Sequence, residues 1–377
     1  MWSLAIELER YPVGGENKPK TVAVLEAVTA GFLSCDDVDA TVEQDLIAEG
    51  AAMLVAVCES IVAAGARVET LLDRRFRDRI ELPASVVVHC VQEVAGAAML
   101  NLAATYYGTN WPQTNRGLAS WMPIADRAGA SVVIAPESDG LLAHILDRKN
   151  AGSAAAFNCS GEFVRFAGDK WHVAQYCRQH NIPHPQTFLL SEYLSGRAAF
   201  EPPCGLCLKP RDGVGCLGLL RFADAQALSD FARSIDRTAE DRWIVQRWVD
   251  GIPISRGYIA DERGLWPAAW MRQNLRTETD STAAAQTYSF VAGNRLDDEP
   301  GGEAASIERR LIGLLYGDFA TSLRGWVGVD FVLGTDGQLT LIEINPRLTT
   351  TFAAEGNQLA RIRFAETLLR VADRVRR

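Results

Sequence analysis

The stretch Gly328–Arg347, GVDFVLGTDGQLTLIEINPR, constrains the fold more than any other part of the chain. Two runs of alternating apolar residues flank an Asp336-Gly337 pair, and this dipeptide between such runs is the strongest short-range signal of a β-hairpin. If the turn is centred on Asp336 and Gly337, Asp330 lies opposite Glu343 in the antiparallel pair. Directly opposed side chains lie about 4.5–5.5 Å apart at Cβ. The hairpin therefore predicts two neighbouring carboxylates.

Asp330 and Glu343 would repel each other at this spacing unless a cation lay between them. Side chains alternate along a strand, so Asn345 lies on the same face as Glu343. Two carboxylates and an amide oxygen form an all-oxygen site that suits Mg²⁺, or alternatively Mn²⁺, with phosphates and water as the other ligands. Arg347 follows, placed to face a developing anion. The alternative interpretation is a surface hairpin whose acidic side chains are merely solvated.

A glycine-rich loop follows the predicted strand Gly205–Pro210. Lys209 lies near the end of that strand, and the next residues, RDGVGCLG, contain Gly213, Gly215 and Gly218, which let backbone amides wrap phosphate oxygens. The chain has five lysines beside 33 arginines. A lysine at the edge of such a loop therefore suggests a compact ammonium that contacts phosphate, although an accident of composition would give the same pattern.

Composition excludes several classes of partner. The formal net charge of −9 and the pI near 5.2 lack the basic footprint that nucleic-acid binding needs. The first ten residues include charged ones where a signal peptide needs an apolar core, which predicts a cytoplasmic protein. Ala84–Ala104 contains polar side chains and predicts buried structure, so no membrane association is expected. The eight cysteines predict free thiols, and Cys204 and Cys207 are interpreted as structural.

The first region, to about residue 150, predicts a small α/β layer with parallel strands. Leu46–Gly65 has apolar residues at helical spacing and ends in a glycine suited to a C-cap. Ala66–Asp73 and Ser131–Ala135 are predicted strands, and a helix is expected to begin near Ser138. We predict three domains, at residues 1–155, 156–250 and 251–377.

The later regions predict two α+β units. Arg276–Gln286 is polar and alanine-rich without strong periodicity, and it predicts a mobile loop. The other predicted elements are helices at Asp169–Asn181, Asp224–Ile235, Glu303–Leu323 and from Glu355 to the end, and strands at Trp243–Trp248 and after Gly251.

With these motifs in this order, the chain resembles the ATP-grasp superfamily from about Asp169 to its end. The resemblance implies an ATP-grasp fold of mixed α/β and α+β type, in which Mg²⁺-ATP lies between two α+β subdomains that follow an N-terminal α/β domain. It also implies roles for the matching positions. The ATP site would comprise phosphate contacts by Lys170 and Lys209, a closing loop at Gly213, Gly215 and Gly218, and adenine binding by the strand that contains Gln246, Arg247, Trp248 and Val249. The metal would be held by Asp330, Glu343 and Asn345, and Arg347 would stabilise an acyl phosphate.

One departure affects the ribose contact. Many relatives carry a glutamate close to the position of Gly251, where this chain has Ile252 and Pro253. Asp250 is the candidate for contact with the ribose hydroxyls.

Motifs in the first region are similar to those of the tyramine-glutamate ligases of methanofuran biosynthesis. They are Ala48–Met53 (AEGAAM), Leu71–Arg75 (LLDRR), Ile134–Gly140 (IAPESDG) and a glutamate-containing first strand that leads to Gly14 and Gly15. The resemblance implies that ATP phosphorylates a carboxylate and that an amine then displaces phosphate, with L-glutamate and tyramine as the small-molecule substrates.

Substrate contacts are less constrained. Trp270 and Tyr288 are candidates for an aromatic amine pocket, and Arg256 and Arg272 for binding of a substrate carboxylate. The alternative interpretation is that the aromatic residues lie in the core and that the arginines are solvated at the surface.

Two other functions remain open. One is another ATP-grasp ligase, of the D-alanine–D-alanine type or an amino acid ligase. The D-alanine type usually carries arginine two residues before the first metal aspartate, where this chain has Gly328. The other is a nucleotide-binding protein without catalysis, which would not need the full set of metal ligands and lysines. The superfamily is compatible with a homodimer.

Overall fold

The structure, a computed structural model, describes residues 20–34, 40–91, 100–101, 116–150, 156–201, 205–280 and 285–375. The predicted strand leading to Gly14 and Gly15 lies outside these residues, as does Cys204. Of the paired cysteines, Cys207 is described and is a buried free thiol.

The N-terminal region is a parallel four-stranded sheet covered by helices, as the sequence predicts. Its strand order is β4-β3-β1-β6, and every pair is parallel. The strands are β1 (Thr21–Glu26), β3 (Arg67–Leu72), β4 (Val87–Cys90) and β6 (Ala130–Ile134), while the short β2 (Leu33–Ser34) and β5 (Leu100–Asn101) pair separately; the helices are α1 (Ala40–Ala63), α2 (Arg116–Arg127) and α3 (Leu141–Asn150).

Helix α1 is a core helix of this layer. Its stretch Gln44–Ala63 is long and apolar enough to cross a membrane. It packs instead against β1 and β3 and against the C-terminal helices, with Leu54, Val57 and Ile61 fully buried. Its apolar character is therefore explained by packing. The helix ends before Gly65, whose φ of +85° is the left-handed conformation expected at a C-cap.

The rest of the chain forms one nine-stranded antiparallel sheet with the order β15-β14-β11-β12-β13-β9-β8-β10-β7. It runs continuously past residue 250, and the division of the chain at residues 155 and 250 stays a prediction. The strands are β7 (Thr187–Leu189), β8 (Leu206–Pro210), β9 (Leu220–Phe222), β10 (Trp243–Arg247), β11 (Ile252–Asp261), β12 (Gly264–Asp280), β13 (Ala285–Arg295), β14 (Gly325–Leu333) and β15 (Leu339–Asn345).

Helices cover this sheet and connect it to the N-terminal layer. They are α4 (Gly161–Ala167), α5 (Lys170–His180), α6 (Leu190–Leu194), α7 (Ala225–Ala232), α8 (Gly302–Phe319), α9 (Thr350–Ala353) and α10 (Gln358–Val375). One continuous apolar cluster contains Leu25 and Val133 of the parallel sheet together with Phe331 and Ile344 of the antiparallel sheet. The carboxyl ends of the parallel strands are thus held against the β14–β15 hairpin.

The predicted mobile loop at Arg276–Gln286 is wrong, since most of this segment lies in strands β12 and β13. The two strands pair as far as Asp280 opposite Ala285, and residues 281–284 between them lie outside the described part. Thr277 and Thr279 alternate along β12 and Thr287 lies in β13, and β-branched residues suit extended backbone. The pairing of β12 with β13, and of Gln286 with Arg221 of β9, supplies the hydrogen bonds that a polar sequence could not predict.

The β14–β15 hairpin confirms the pairing of Asp330 with Glu343 but not the predicted turn. The strands close at Leu333 opposite Leu339, so the loop is 334–338 and not a two-residue turn. A β-bulge next to Asp330 shifts the register by one residue. The bulge compensates for the error in the turn, because it adds one residue to β15 before Glu343.

Candidate active site

The site begins with the carboxylates of Asp330 and Glu343, which face each other across β14 and β15. Asn345 donates a hydrogen bond from Nδ2 to Asp330 Oδ2 at 2.8 Å, and Gln273 donates from Nε2 to Oδ1 at 2.9 Å. The Lys170 ammonium lies 3.3 Å from Glu343 Oε2. The two acids and the amide predicted from the hairpin are therefore together, and Gln273 of β12 completes the group.

Electrostatics make this acid pair unequal. Burial, and then the charge of Glu343, raise the pKa of Asp330 well above its usual value. Burial would also raise the pKa of Glu343, but the ammoniums of Lys170 and Lys209 outweigh it and lower that pKa to about 2. The pair therefore retains one proton on Asp330 when no cation is bound.

The donor chemistry fits a hard divalent cation. Asp330, Glu343 and Asn345 offer carboxylate and amide oxygens, which Mg²⁺ and Mn²⁺ prefer. Among the described residues, no three side chains of histidine, cysteine, aspartate or glutamate gather into a metal site. Two carboxylates leave positions for phosphate oxygens and water, as is usual for Mg²⁺.

Lys170 connects three parts of the site. It is the first residue of α5, where Asp169 caps the helix by accepting a hydrogen bond from Trp171 N at 2.9 Å. Its ammonium donates to Gly213 O at 2.6 Å and approaches Glu343. One side chain thus links the helix, the glycine loop and the acid pair.

Lys209 of β8 is the more available cation. Its side chain is buried, and burial lowers the pKa of its ammonium. Within the part of the chain that the structure describes, this ammonium has no hydrogen-bond or ion-pair partner. The nearby His184 stays neutral, because burial, followed by the charge of Lys209, lowers its pKa to about 4. A buried unpaired ammonium is suited to bind an anion such as phosphate.

The glycine loop, 211–218, turns sharply after β8. Gly215 and Gly218 have φ of +59° and +72°, which glycine adopts without strain. A Cβ at position 218 would lie 3.0 Å from Pro210 Cγ, so a larger residue would push the loop away from the strand. The start of the loop is fixed, because Asp212 accepts a hydrogen bond from Asp139 N at 2.7 Å.

The predicted adenine-binding segment carries an aromatic stack. The rings of Trp248 and Tyr288 stack at 5.1 Å between centroids, and the Arg221 guanidinium lies 4.5 Å from the centre of the Trp248 ring. Asp250 accepts a hydrogen bond from Trp248 Nε1 at 3.0 Å. Tyr288, predicted for an amine pocket, therefore lies with the predicted adenine segment.

Three other residues of this segment differ in exposure. Gln246 is buried and donates to Thr187 Oγ1 at 2.8 Å, whereas Arg247 is exposed and Val249 is half-buried. The side chain of Gln246 is thus used within the sheet, and at this residue β10 is also paired with β7 on one side and β8 on the other. The adenine contact of this segment stays a prediction.

Arg347 is half-buried and paired with a residue of the N-terminal layer. Its Nε donates to Glu137 Oε2 at 3.0 Å and its Nη1 to Leu348 O at 3.1 Å. Burial would lower the pKa of this guanidinium, but the charge of Glu137 outweighs it and raises the pKa. Arg347 is therefore a fixed cation at the junction of the two layers. Glu137 was not predicted as a site residue, although the IAPESDG motif that contains it was singled out.

Three predicted substrate contacts do not reach this site. Trp270 is 2% exposed and packs against Phe331 in the core. Arg256 donates to Glu308 Oε1 at 2.8 Å and to a backbone carbonyl, so its guanidinium is used within the fold. Arg272 is exposed and precedes Gln273, whose side chain reaches Asp330. Because side chains alternate along a strand, Arg272 points to the opposite face.

A cavity of about 280 Å³ lies beside the stem of the glycine loop. Its wall includes Glu137 and three arginines. Each arginine is already paired with a carboxylate: Arg165 with Asp147, Arg211 with Asp169 and Arg242 with Asp139. The pair of Arg211 with Asp169 fixes the first residue of the loop to the start of α5, and the pair of Arg165 with Asp147 joins α4 to α3.

Comparison with known proteins gives one family and one fold. Residues 167–351 match the ATP-grasp domain. The tyramine–L-glutamate ligases of Methanocaldococcus jannaschii and Methanocaldococcus fervens are each 24% identical to this chain over 226 residues. The match covers 59% of this chain and 56% and 59% of the two relatives, so it spans a little over half of their length.

Solved structures of similar fold cover most of the chain. A protein from Archaeoglobus fulgidus assigned to the ATP-grasp superfamily has a TM-score of 0.56 and 18% identity, with 88% of this chain and 82% of that one covered. D-alanine–D-alanine ligase from Bacillus anthracis has a TM-score of 0.55 and 13% identity, with 95% and 99% covered. L-amino acid ligase from Bacillus licheniformis has a TM-score of 0.53 and 13% identity, with 94% and 74% covered. At these identities the likeness shows a shared fold.

Proposed function

Because this chain carries an ATP-grasp domain and has the ATP-grasp fold, we propose that it is an ATP-dependent carboxylate–amine ligase. The observation that carries the proposal is the apposition of one acid pair and three fixed cations. Lys170 and Arg347 are each paired with a glutamate of the site, Lys209 is unpaired among the described residues, and all three are within electrostatic reach of Glu343. Phosphoryl transfer needs this kind of charge neutralisation and alignment.

The proposed reaction has two steps. A carboxylate oxygen of the substrate attacks the γ-phosphorus of ATP, and the bond to the β-γ bridging oxygen breaks, so that ADP leaves and an acyl phosphate forms. The neutral amine nitrogen then attacks the acyl carbon, the bond from that carbon to the phosphate oxygen breaks, and phosphate leaves. The nitrogen releases one proton to solvent and keeps one hydrogen in the amide. The described site contains the charges for both steps, and no protein nucleophile is required.

Each cation has a role in this scheme. Lys170 and Lys209 hold the phosphate oxygens, and Arg347 stabilises the negative charge of the acyl phosphate and of the tetrahedral intermediate. ATP-grasp enzymes use divalent metal ions with ATP. We propose Mg²⁺, with Mn²⁺ as the alternative, held by Asp330, Glu343 and Asn345, where it would neutralise charge on the phosphates. The glycine loop and the contacts of α1 would exclude water, which hydrolyses acyl phosphates.

The proposed substrates are L-glutamate and tyramine, in the synthesis of a methanofuran-type cofactor in the cytoplasm. Support comes from the two tyramine–L-glutamate ligases at 24% identity and from the motifs in the first region. A second candidate is the joining of two amino acids, since D-alanine–D-alanine ligase and L-amino acid ligase share the fold. Gly328 stands where the D-alanine type usually carries arginine, which favours the first pair.

The test is release of ADP from ATP with Mg²⁺, with L-glutamate and tyramine each omitted in turn, and mass spectrometry of the product. Glu343→Gln removes a metal ligand, and Glu303→Gln is a matched control because Glu303 is exposed in the first turn of α8. Glutamyl-tyramine that requires both substrates, and is lost only in Glu343→Gln, would establish the reaction.

Other outcomes separate the parts of the proposal. An amide formed from two amino acids would retain the ligase and replace the substrates. ATP binding without turnover, across a panel of acids and amines, would show that the chain is not a ligase.

A further inference from the structure

Helix α1 presents one face to the candidate active site. The carboxylate of Asp45 accepts a hydrogen bond from Arg276 of β12 at 2.7 Å. One residue later, Leu46 lies under the glycine loop, where a Cβ at Gly215 would be 3.6 Å from its Cδ2. The helix therefore closes the site from the side of the N-terminal layer.

The next turn of α1 contacts the end of the parallel sheet. Gly50 packs on Glu26, the last residue of β1, so closely that a Cβ at position 50 would lie 2.6 Å from Glu26 Oε2. Residues 45, 46, 49 and 50 lie on one side of a helix, because positions four apart are neighbours. Glu49 is thus between the glycine-loop contact and the end of β1, directed into the site.

Glu49 lacks a partner there. It is half-buried, and it makes no hydrogen bond or ion pair within the described residues. Burial raises its pKa to about 7, although the charge of Arg347 acts in the opposite direction. The guanidinium is thus close enough to influence Glu49 without forming an ion pair with it.

Glu137 offers a second unused oxygen beside the same arginine. Its Oε2 accepts the hydrogen bond from Arg347, while Oε1 is buried and receives no hydrogen bond from any described residue. The residue as a whole is 7% exposed. A buried carboxylate oxygen without a donor is costly, and it is expected to have one when a ligand is bound.

Negatively charged carboxylates therefore outnumber positive charges around Arg347. Three glutamates from three elements lie near it: Glu26 at the end of β1, Glu49 on α1 and Glu137 after β6. Glu26 is already satisfied, since Val28 N and Thr29 N donate to its two oxygens at 3.1 Å and 2.7 Å. Glu49 and Glu137 Oε1 are the acceptors that remain. The carboxyl ends of parallel strands, where two of these glutamates lie, are also where open α/β sheets bind ligands.

We propose that Glu49 and Glu137 bind the primary ammonium group of a substrate beside Arg347. A primary ammonium has three N–H donors and a positive charge, and it can serve both carboxylates at once. The inference rests on the proposed function and specifies it, because one substrate must be an amino acid or a primary amine that binds in its charged form. The ammonium belongs either to the acid that ATP activates or to the attacking amine.

Binding of L-glutamate and of tyramine is measured by calorimetry with the full chain and Mg²⁺ plus a non-hydrolysable ATP analogue. The variants are Glu49→Gln and Glu137→Gln, with Glu59→Gln as the matched control, since Glu59 is exposed on the same helix and pairs with Arg361. Loss of one charge-assisted hydrogen bond is expected to weaken binding by about 10- to 100-fold. Binding of the nucleotide analogue, and binding by the control, are expected to be unchanged.

The probe whose affinity falls identifies the source of the ammonium. If glutamate is affected, wild type prefers it to glutarate, which lacks the amine, and Glu49→Gln loses that preference. If tyramine is affected, the binding of glutamate is unchanged. Glu137→Gln could weaken binding by disturbing the hydrogen bond between Glu137 and Arg347. Glu49→Gln leaves that bond intact, so a loss of binding in Glu49→Gln cannot be attributed to it.

Equal affinity of Glu49→Gln and wild type for both compounds would overturn the proposal, even if ADP release and amide formation were normal. If the wild type bound neither compound, the proposal would also be overturned. Selective loss of binding in the variants would support it even if no amide formed with this pair, in which case only the proposed reaction would be wrong.

Discussion

Replacement of Asp330 by asparagine is expected to stabilise the ligand-free protein and to abolish its response to Mg²⁺-ATP. Asp330 is half-buried opposite Glu343, and its raised pKa means that the fold disfavours its charged form. A buried polar group in an unfavourable setting costs about 1–3 kcal/mol, and asparagine removes the charge with little change of shape. The gain should be largest near pH 8. It should become small as the pH falls to about 4, near the ordinary pKa of aspartate, because the carboxyl of the unfolded chain is then about half protonated and the two states bind nearly the same number of protons.

The assay is denaturant unfolding with and without Mg²⁺-ATP at pH 8 and pH 4. Ligand at 100 times its Kd should stabilise the wild type by about 2.7 kcal/mol, and the variant should gain almost nothing. Asp336→Asn is the matched control, since Asp336 lies in the exposed loop of the same hairpin and should leave both quantities unchanged. A variant less stable than wild type at pH 8, or one that still responded fully to Mg²⁺-ATP, would refute this account of the acid pair.

Three further substitutions test other parts of the structure. Gly50→Ala should lower the free energy of unfolding by about 1–3 kcal/mol, because its Cβ would meet the Glu26 carboxylate. Gly313→Ala, at an exposed helix position with nothing within 4 Å, should raise the free energy of unfolding by about 0.5–1 kcal/mol. Equal effects of the two substitutions would contradict the packing of α1. Glu49→Gln should stabilise the ligand-free protein by about 1–2 kcal/mol at pH 8 and not at pH 4, because the raised pKa of about 7 shows that the fold disfavours the charged form of Glu49. If the substitution left the unfolding midpoint at pH 8 unchanged, the Glu49 carboxylate would not be desolvated. Lys209→Met should weaken ATP binding about tenfold or more in a nucleotide titration without loss of stability, and unchanged affinity would remove Lys209 from the site.

Local sequence predicted the hairpin at the centre of the site because strand alternation and the Asp-Gly signal act over a few residues. It could not predict the bulge beside Asp330, which depends on how β15 fits its neighbours. The prediction of Asp330 opposite Glu343 held because this bulge offset the error in the turn.

Polar strands were harder to predict than apolar ones. Arg276–Gln286 carries no apolar alternation, so its strand character comes from the pairing of β12 with β13 and, at Gln286, from pairing with Arg221 of β9. Such neighbours are set by the tertiary fold, and no local pattern indicates them.

The arginines show why side-chain roles were only partly predictable. Arg256 and Arg347 were both candidates for binding an anion, and each proved to pair with a glutamate from a distant element: Glu308 of α8 in one case and Glu137 after β6 in the other. Only the second pair lies beside the acid pair. Glu49 was likewise within a motif that was noticed, but its position over the site follows from how α1 packs on β1.

The most direct measurement follows the oxygen atoms of the acid substrate. L-Glutamate labelled with ¹⁸O in its carboxylates is incubated with ATP, Mg²⁺, tyramine and the protein, and the released phosphate is analysed by mass spectrometry. If the carboxylate attacks the γ-phosphorus, each phosphate carries one ¹⁸O atom, and the label in phosphate equals the amide formed. Unlabelled phosphate with continued ATP turnover, or release of AMP and pyrophosphate, would contradict a site that activates a carboxylate as an acyl phosphate.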